Sequence, residues 1–256
     1  MANNNSWKKI FDDYKILDHD FDGSPYLITA EQIKISCQEF KKTGEKEVRI
    51  LCKQDSREDR PDVFSENNLF LLPVKNGTYI IIKGEGYIDI PKIDKENTIY
   101  LPKLDFRLDT AKIGDSEMQH LDFAYAVSLI RTFMEDDSLV LTIRGRKYTP
   151  DFEFYVGKQL IKAGSVQTEV DAGYEGKNQV VLIEAKNINA TNIIIRQLFY
   201  PFRQWQLHTK KKVATLFFNK NRVEDIYSIW QFEFKDPKNY NSIELIKSGK
   251  FHIIKK

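Results

Sequence analysis

The stretch Val180-Val181-Leu182-Ile183-Glu184-Ala185-Lys186 decides how this chain is read. Four apolar residues in succession, ending in charge, mark a strand buried on both faces. Strand side chains alternate with period two, so Glu184 and Lys186 share one face while Ala185 points to the other. Upstream, Val170-Asp171-Ala172-Gly173-Tyr174 is expected to end a preceding strand at Asp171 and fold back, bringing a second carboxylate to Glu184. Two carboxylates and an ammonium then converge. Oxygen ligands suit Mg²⁺, which takes one or two protein carboxylates and completes its shell with water and substrate phosphate. A lysine beside such a site can steer or help deprotonate an attacking water.

Working outward, apolar residues 118, 121, 125 and 129 follow helical spacing, and the pattern predicts a core helix over Ser116–Ile130 with Ser116 as N-cap. Strands are expected at Phe152–Val156, Ser165–Asp171 and Gln179–Ala185, then a helix over about 192–207 and a strand at Val213–Phe218. This order gives an α/β (α+β) fold, a central mixed sheet flanked by helices, over residues 110–256. Residues 1–91 form a smaller α+β region. In it, Thr29 and Gln32 stand at capping-box spacing, Glu47–Lys53 alternates like a strand and a polar loop follows to Pro61. Leu69–Val74 and Thr78–Ile82, joined at Asn76-Gly77, make a hairpin. A helix followed by a hairpin fits a winged-helix recognition domain, and equally a scaffold extension packed on the main sheet. Pro91 to Pro102 reads as a linker.

Apolar residues at 41% and charged ones at 30% exclude global disorder. Cys37 and Cys52 have no companions at zinc spacing, which favours a reducing compartment over a disulfide. The start of the chain lacks a basic segment followed by an apolar core, and no run approaches a membrane span, so a cytoplasmic protein without a membrane partner is expected. A net charge of +2 does not by itself announce a polyanion. Basic residues nevertheless gather around the central motif, at Arg144, Arg146 and Lys147, at Arg196 and Arg203, and at Lys210-Lys211-Lys212. Such clusters can pair with phosphates, and Arg144, Arg146, Lys147, Arg196 and Arg203 are the candidates for phosphate or base contacts. His19, His120, His208 and His252 are scattered without metal-binding spacing. No G-x-S-x-G elbow and no G-x-x-x-x-G-K-[ST] loop is present, so neither a serine triad nor ATP dependence is indicated.

Asp171, then Glu184-Ala185-Lys186 thirteen positions on, with a helix before and a helix after, resembles the PD-(D/E)xK nuclease superfamily and, within it, the type II restriction endonucleases. The resemblance spans roughly residues 113–218. It implies a restriction-endonuclease-like core and Mg²⁺-dependent hydrolysis of phosphodiester bonds in double-stranded DNA at a specific sequence. Asp171 and Glu184 would hold the metal, and Lys186 would contact the scissile phosphate or the attacking water. A companion methyltransferase protecting host DNA is implied as well. Cutting both strands is most simply done by a two-fold homodimer. The chain departs from the motif in having Val170 before Asp171; its literal Pro150-Asp151 lies thirty-three positions before Glu184, and Asp151 is the alternative first acid.

Supporting residues are expected from three places. Glu117 or Asp122 would supply an acid from the upstream helix. Glu169, two before Asp171, would share its strand face. Gln197 and Tyr200 resemble the Q-x-x-x-Y helix of some related nucleases with one residue fewer between them, and Pro201 is expected to kink or interrupt that helix. A repair or structure-specific nuclease of the same superfamily is the alternative function. So is a non-catalytic DNA-binding protein, in which Glu184 and Lys186 form a surface pair worth under about 1 kcal/mol.

Overall fold

The structure is a computed structural model that describes residues 3–112, 114–187 and 190–254. The N-terminal region contains helix α1 (Asn4–Asp13), strand β1 (Tyr26–Thr29) and helix α2 (Ala30–Ser36). Two single-turn helices, α3 (Thr43–Lys46) and α4 (Val48–Leu51), lead to α5 (Asp62–Glu66) and the hairpin β2 (Leu69–Lys75) and β3 (Thr78–Lys83). Helix α2 begins at the expected capping box: Gln32 N–H donates to the Thr29 hydroxyl at 3.2 Å and Thr29 N–H to Gln32 Oε1 at 2.8 Å. The hairpin turns at Gly77, whose φ of +73° favours glycine. Residues 47–53 are not the strand their alternation suggests. Leu51 is buried beside α1, and the Trp7 indole donates to the Leu51 carbonyl at 3.0 Å, which satisfies a helix-end acceptor that a strand would have to pair elsewhere.

The hairpin serves two cores. Leu69, Leu71 and Ile81 pack with Trp7, Ile10 and Phe64, while Phe70, Leu72, Ile80 and Ile82 pack with residues of the large sheet and of the helix over 196–206. Period-two alternation thus turns one small sheet, in the order β1-β3-β2, into an adaptor between the two parts of the chain.

After β4 (Tyr87–Asp89) and β5 (Thr98–Tyr100) come α6 (Glu117–Ala126) and α7 (Leu129–Met134). Ser116 caps α6 through a box with Gln119. The single helix expected over 116–130 is divided because Ser128 adopts a left-handed conformation, φ +67°. The strands β6 (Val140–Tyr148), β7 (Phe152–Val156), β8 (Gln159–Ala163), β9 (Gln167–Glu175) and β10 (Gln179–Lys186) follow. Then come β11 (Asn192–Ile194), α8 (Arg196–Gln206), β12 (Lys212–Asn221), β13 (Ile226–Phe234) and β14 (Ile243–Ile253). Seven strands form one mixed sheet in the order β5-β14-β13-β12-β10-β9-β6, parallel at β10/β12 and β14/β5 and antiparallel elsewhere. The architecture is α+β, a large mixed sheet flanked by helices. Helix α8 runs through Pro201 instead of stopping there; the ring removes a donor only from the Gln197 carbonyl.

Strand β10 lies inside this sheet and is covered on both sides. Val180 and Leu182 face α8 and the hairpin, whereas Val181, Ile183 and Ala185 face α6 and α7. No helix among the described residues is long and apolar enough to cross a membrane.

Candidate active site

Glu184 and Lys186 stand at the C-terminal end of β10, beside its parallel neighbour β12. Their shared face brings Lys186 Nζ to 2.5 Å from Glu184 Oε1. Gln197, in the first turn of α8, donates to the same oxygen at 2.8 Å. Asn219 of β12 donates to the Lys186 carbonyl at 3.0 Å and holds the end of the strand.

Asp171 arrives from β9. That strand continues past it to Glu175, so the chain reverses after Glu175 and not at Ala172-Gly173 as expected. A bulge aims the side chain instead. Gly173 pairs with Ile143 but Val170 pairs with Gly145, so β9 spends three residues where β6 spends two. Asp171 Oδ2 accepts from Ala185 N–H at 2.8 Å, which pins it to the residue between Glu184 and Lys186. Glu169 lines a small cavity with Glu184 and Gln197, its charge reaches Asp171, and it pairs with Arg146 at 3.1 Å. From α6, Glu117 Oε1 accepts from Asn187 N–H at 3.0 Å, immediately after Lys186.

Burial governs the ionisation of this group. Glu184 is 7% exposed, and its loss of water pushes its pKa up to about 7, with Lys186 opposing the rise and Asp171 adding to it. Asp171 is also raised, first by burial and then by the charges of Glu117 and Glu169, against the pull of Ala185 N–H and Lys186. For Lys186, burial favours the neutral amine, but Glu184 and the other carboxylates around it outweigh that and raise its pKa. The lysine is therefore a cation among acids that hold protons more tightly than usual.

The donor set fits a hard divalent cation. Asp171 and Glu184 offer carboxylate oxygens, and the side-chain carbonyls of Gln197 and Asn187 are buried without a hydrogen-bond partner. Among the described residues no three His, Cys, Asp or Glu side chains form a metal-binding cluster. Two carboxylates are nevertheless what Mg²⁺ commonly takes from a protein.

Residues 82–252 match the family described as domain of unknown function DUF6997, and residues 4–81 match the domain of unknown function DUF6996. The chain belongs to the DUF6997 family. The two matches meet within β3, the hairpin strand that feeds both cores. No curated protein and no solved structure matches the chain.

Within the DUF6997 segment the basic residues divide. Arg144 makes a bidentate pair with Asp122. Arg146 and Lys147 are exposed. Lys211 and Lys212 are paired with Glu175 at 2.5 Å and Glu233 at 2.9 Å. Arg203 is buried and donates to the carbonyls of Glu153 at 2.9 Å and Pro237 at 2.6 Å, so it fastens α8 to its surroundings and is not open to DNA. Tyr200 likewise serves structure, its hydroxyl donating to the Pro73 carbonyl at 2.9 Å. Asp151 precedes β7, in a two-stranded sheet of its own with β8, and its side chain packs against Gly164. It is not among the groups gathered at Glu184.

Arg196 pairs with Asp55 at 3.0 Å. Asp55 comes from the DUF6996 segment, and its charge acts on both Glu184 and Lys186. Sequence reasoning missed it. Asp55 lies in the polar loop after α4 and is separated from Arg196 by 141 positions, with no periodicity to join them.

Proposed function

We propose that this chain is a Mg²⁺-dependent nuclease that hydrolyses phosphodiester bonds in double-stranded DNA, with a restriction-endonuclease-like core and the site specificity of a type II restriction endonuclease. The observation that carries the reading is the meeting of Asp171, Glu184 and Lys186. A carboxylate from β9 is bonded to the backbone of Ala185, and the flanking residues present a second carboxylate and an ammonium in contact with each other.

In this reading Asp171 and Glu184 hold Mg²⁺, which when bound polarises the phosphate and lowers the pKa of an attendant water. Gln197 keeps Glu184 in one orientation by occupying Oε1. Lys186 stays charged, orients the attacking water and stabilises the negative charge that develops on the phosphate oxygens. Glu117 fixes the backbone just beyond Lys186, so the ammonium is aimed from a held main chain. Arg144, Arg146, Lys147 and Arg196 are the remaining candidates for DNA contacts. A homodimer cutting both strands and a companion methyltransferase belong to the same proposal.

Digestion of unmethylated phage DNA with and without Mg²⁺ tests it. Discrete fragments that require Mg²⁺ and vanish in Glu184→Ala and Lys186→Ala, with DNA binding retained in Ca²⁺, are expected. A Mg²⁺-dependent smear would favour a structure-specific or repair nuclease. Undiminished cutting by both variants would refute the site.

A further inference from the structure

Residues 53–60 cross from the N-terminal region onto β11 and the start of α8, and two of the bonds they make there hold the backbone on either side of Asp55. Ile194 N–H donates to the Asp55 carbonyl at 2.9 Å. Arg57 N–H donates to Asn192 Oδ1 at 2.7 Å, and the Asn192 amide donates to both Glu58 oxygens at 3.0 Å. The Tyr87 hydroxyl donates to the Gln54 carbonyl at 3.2 Å. Held from both sides, the Asp55 carboxylate is directed inward and accepts from Arg196 Nη2 at 3.0 Å, the two side chains being 14% and 22% exposed. Lys53 also approaches Asp55, at 3.8 Å, but is 71% exposed and is a weak partner. The residue after Arg196 is Gln197, which donates to Glu184. One carboxylate from residue 55 is therefore two steps from the metal-binding pair, through the first residues of α8.

A latch between domains does not require this inward charge pair. The same segment already has one at its rim, where Arg57 bridges Asp89 and Glu85 with both acids well exposed. The Asp55–Arg196 pair differs in being partly buried, and the Asp55 charge reaches both Glu184 and Lys186.

We infer that Asp55 is a positioning residue of the nuclease site: it holds Arg196 beside the Glu184–Lys186 pair, where the guanidinium binds a DNA phosphate neighbouring the one cleaved. This rests on the nuclease reading and makes the N-terminal region part of the active site. The chemistry suits it. A guanidinium has five N–H donors in a rigid fork, so one edge can be spent on Asp55 while another meets a phosphate. An arginine without its carboxylate would sample other rotamers and lose that orientation.

The test compares the full-length wild type with Asp55→Asn, Arg196→Ala, their double variant, and Asp89→Asn as a control at the rim. Plasmid cleavage in Mg²⁺ gives KM and kcat. The Arg196 Nε–Hε NMR cross-peak, assigned by its loss in Arg196→Lys, reports whether the guanidinium is held. One lost phosphate contact corresponds to about a tenfold rise in KM. Asp55→Asn and Arg196→Ala should each show that rise with kcat changed less, the double variant should be no worse than Arg196→Ala alone, and Asp89→Asn should stay within about twofold of wild type. The cross-peak should broaden or move in Asp55→Asn and persist in Asp89→Asn. An unmoved cross-peak in Asp55→Asn, equal effects of Asp55→Asn and Asp89→Asn, or multiplying effects in the double variant would each overturn the role of Asp55 while leaving the nuclease reading intact. A wild type that cuts no DNA would remove both.

Discussion

Replacing Glu184 by glutamine should stabilise the metal-free protein at alkaline pH. The buried carboxyl holds its proton with a pKa of about 7, against an ordinary value of 4.5. Because the folded value lies above the unfolded one, stability is fully present below pH 4.5 and is lost as pH rises through 7. At about 1.4 kcal/mol per pH unit over that interval, the ionised form costs roughly 3 kcal/mol by pH 8. Glutamine resembles the protonated acid in shape, so Glu184→Gln should recover most of that amount. For a chain of this size the gain corresponds to a Tm higher by about 5–10 °C. Thermal unfolding in EDTA, followed for both proteins from pH 5 to pH 8.5, measures it. The two should melt together near pH 5 and separate as pH rises, and Mg²⁺ should raise the Tm of the wild type more than that of the variant. A difference independent of pH, or a variant less stable at pH 8, would refute the reasoning that desolvation of Glu184 dominates its ionisation.

Cleavage should fall on acidification through about pH 7 when Mg²⁺ is limiting, since protons and metal compete for Glu184, and the midpoint should move to lower pH as Mg²⁺ is raised; a midpoint indifferent to Mg²⁺ would contradict this. Gln197→Ala should lower kcat by about tenfold or more, because Glu184 Oε1 loses a partner that fixes its orientation, while leaving DNA affinity in Ca²⁺ unchanged. Arg203→Ala should destabilise the fold by about 2–4 kcal/mol, having stranded the carbonyls of Glu153 and Pro237, whereas Arg146→Ala should leave the Tm alone and weaken DNA binding with a smaller salt dependence. Gly86→Ala should destabilise by about 2 kcal/mol or more in denaturant melts, since a Cβ there would stand 2.3 Å from the Phe70 ring inside the main core.

Period and chemistry, both local, were enough to read much of the chain. The apolar run before Glu184 demanded a strand covered on both faces, and two-residue alternation alone put Glu184 and Lys186 side by side. Ser116 and Thr29 marked helix starts because a side-chain hydroxyl there accepts from N–H groups that every helix leaves open. Long-range geometry was not legible in this way. The β9 bulge next to Asp171 depends on register with β6, which no alternation encodes. Residues 47–53 alternate like a strand, yet Val48–Leu51 form a helical turn whose last carbonyl accepts from the Trp7 indole. Arg203 and Arg146 look alike as sequence, yet one is buried on the packed side of α8 and the other lies open, a difference made by what packs over them. Asp55 reaches Arg196 only because the N-terminal region folds back onto the sheet: the type of side chain is written in the chain, but the partner that sets its charge and orientation is chosen by packing between segments far apart in sequence.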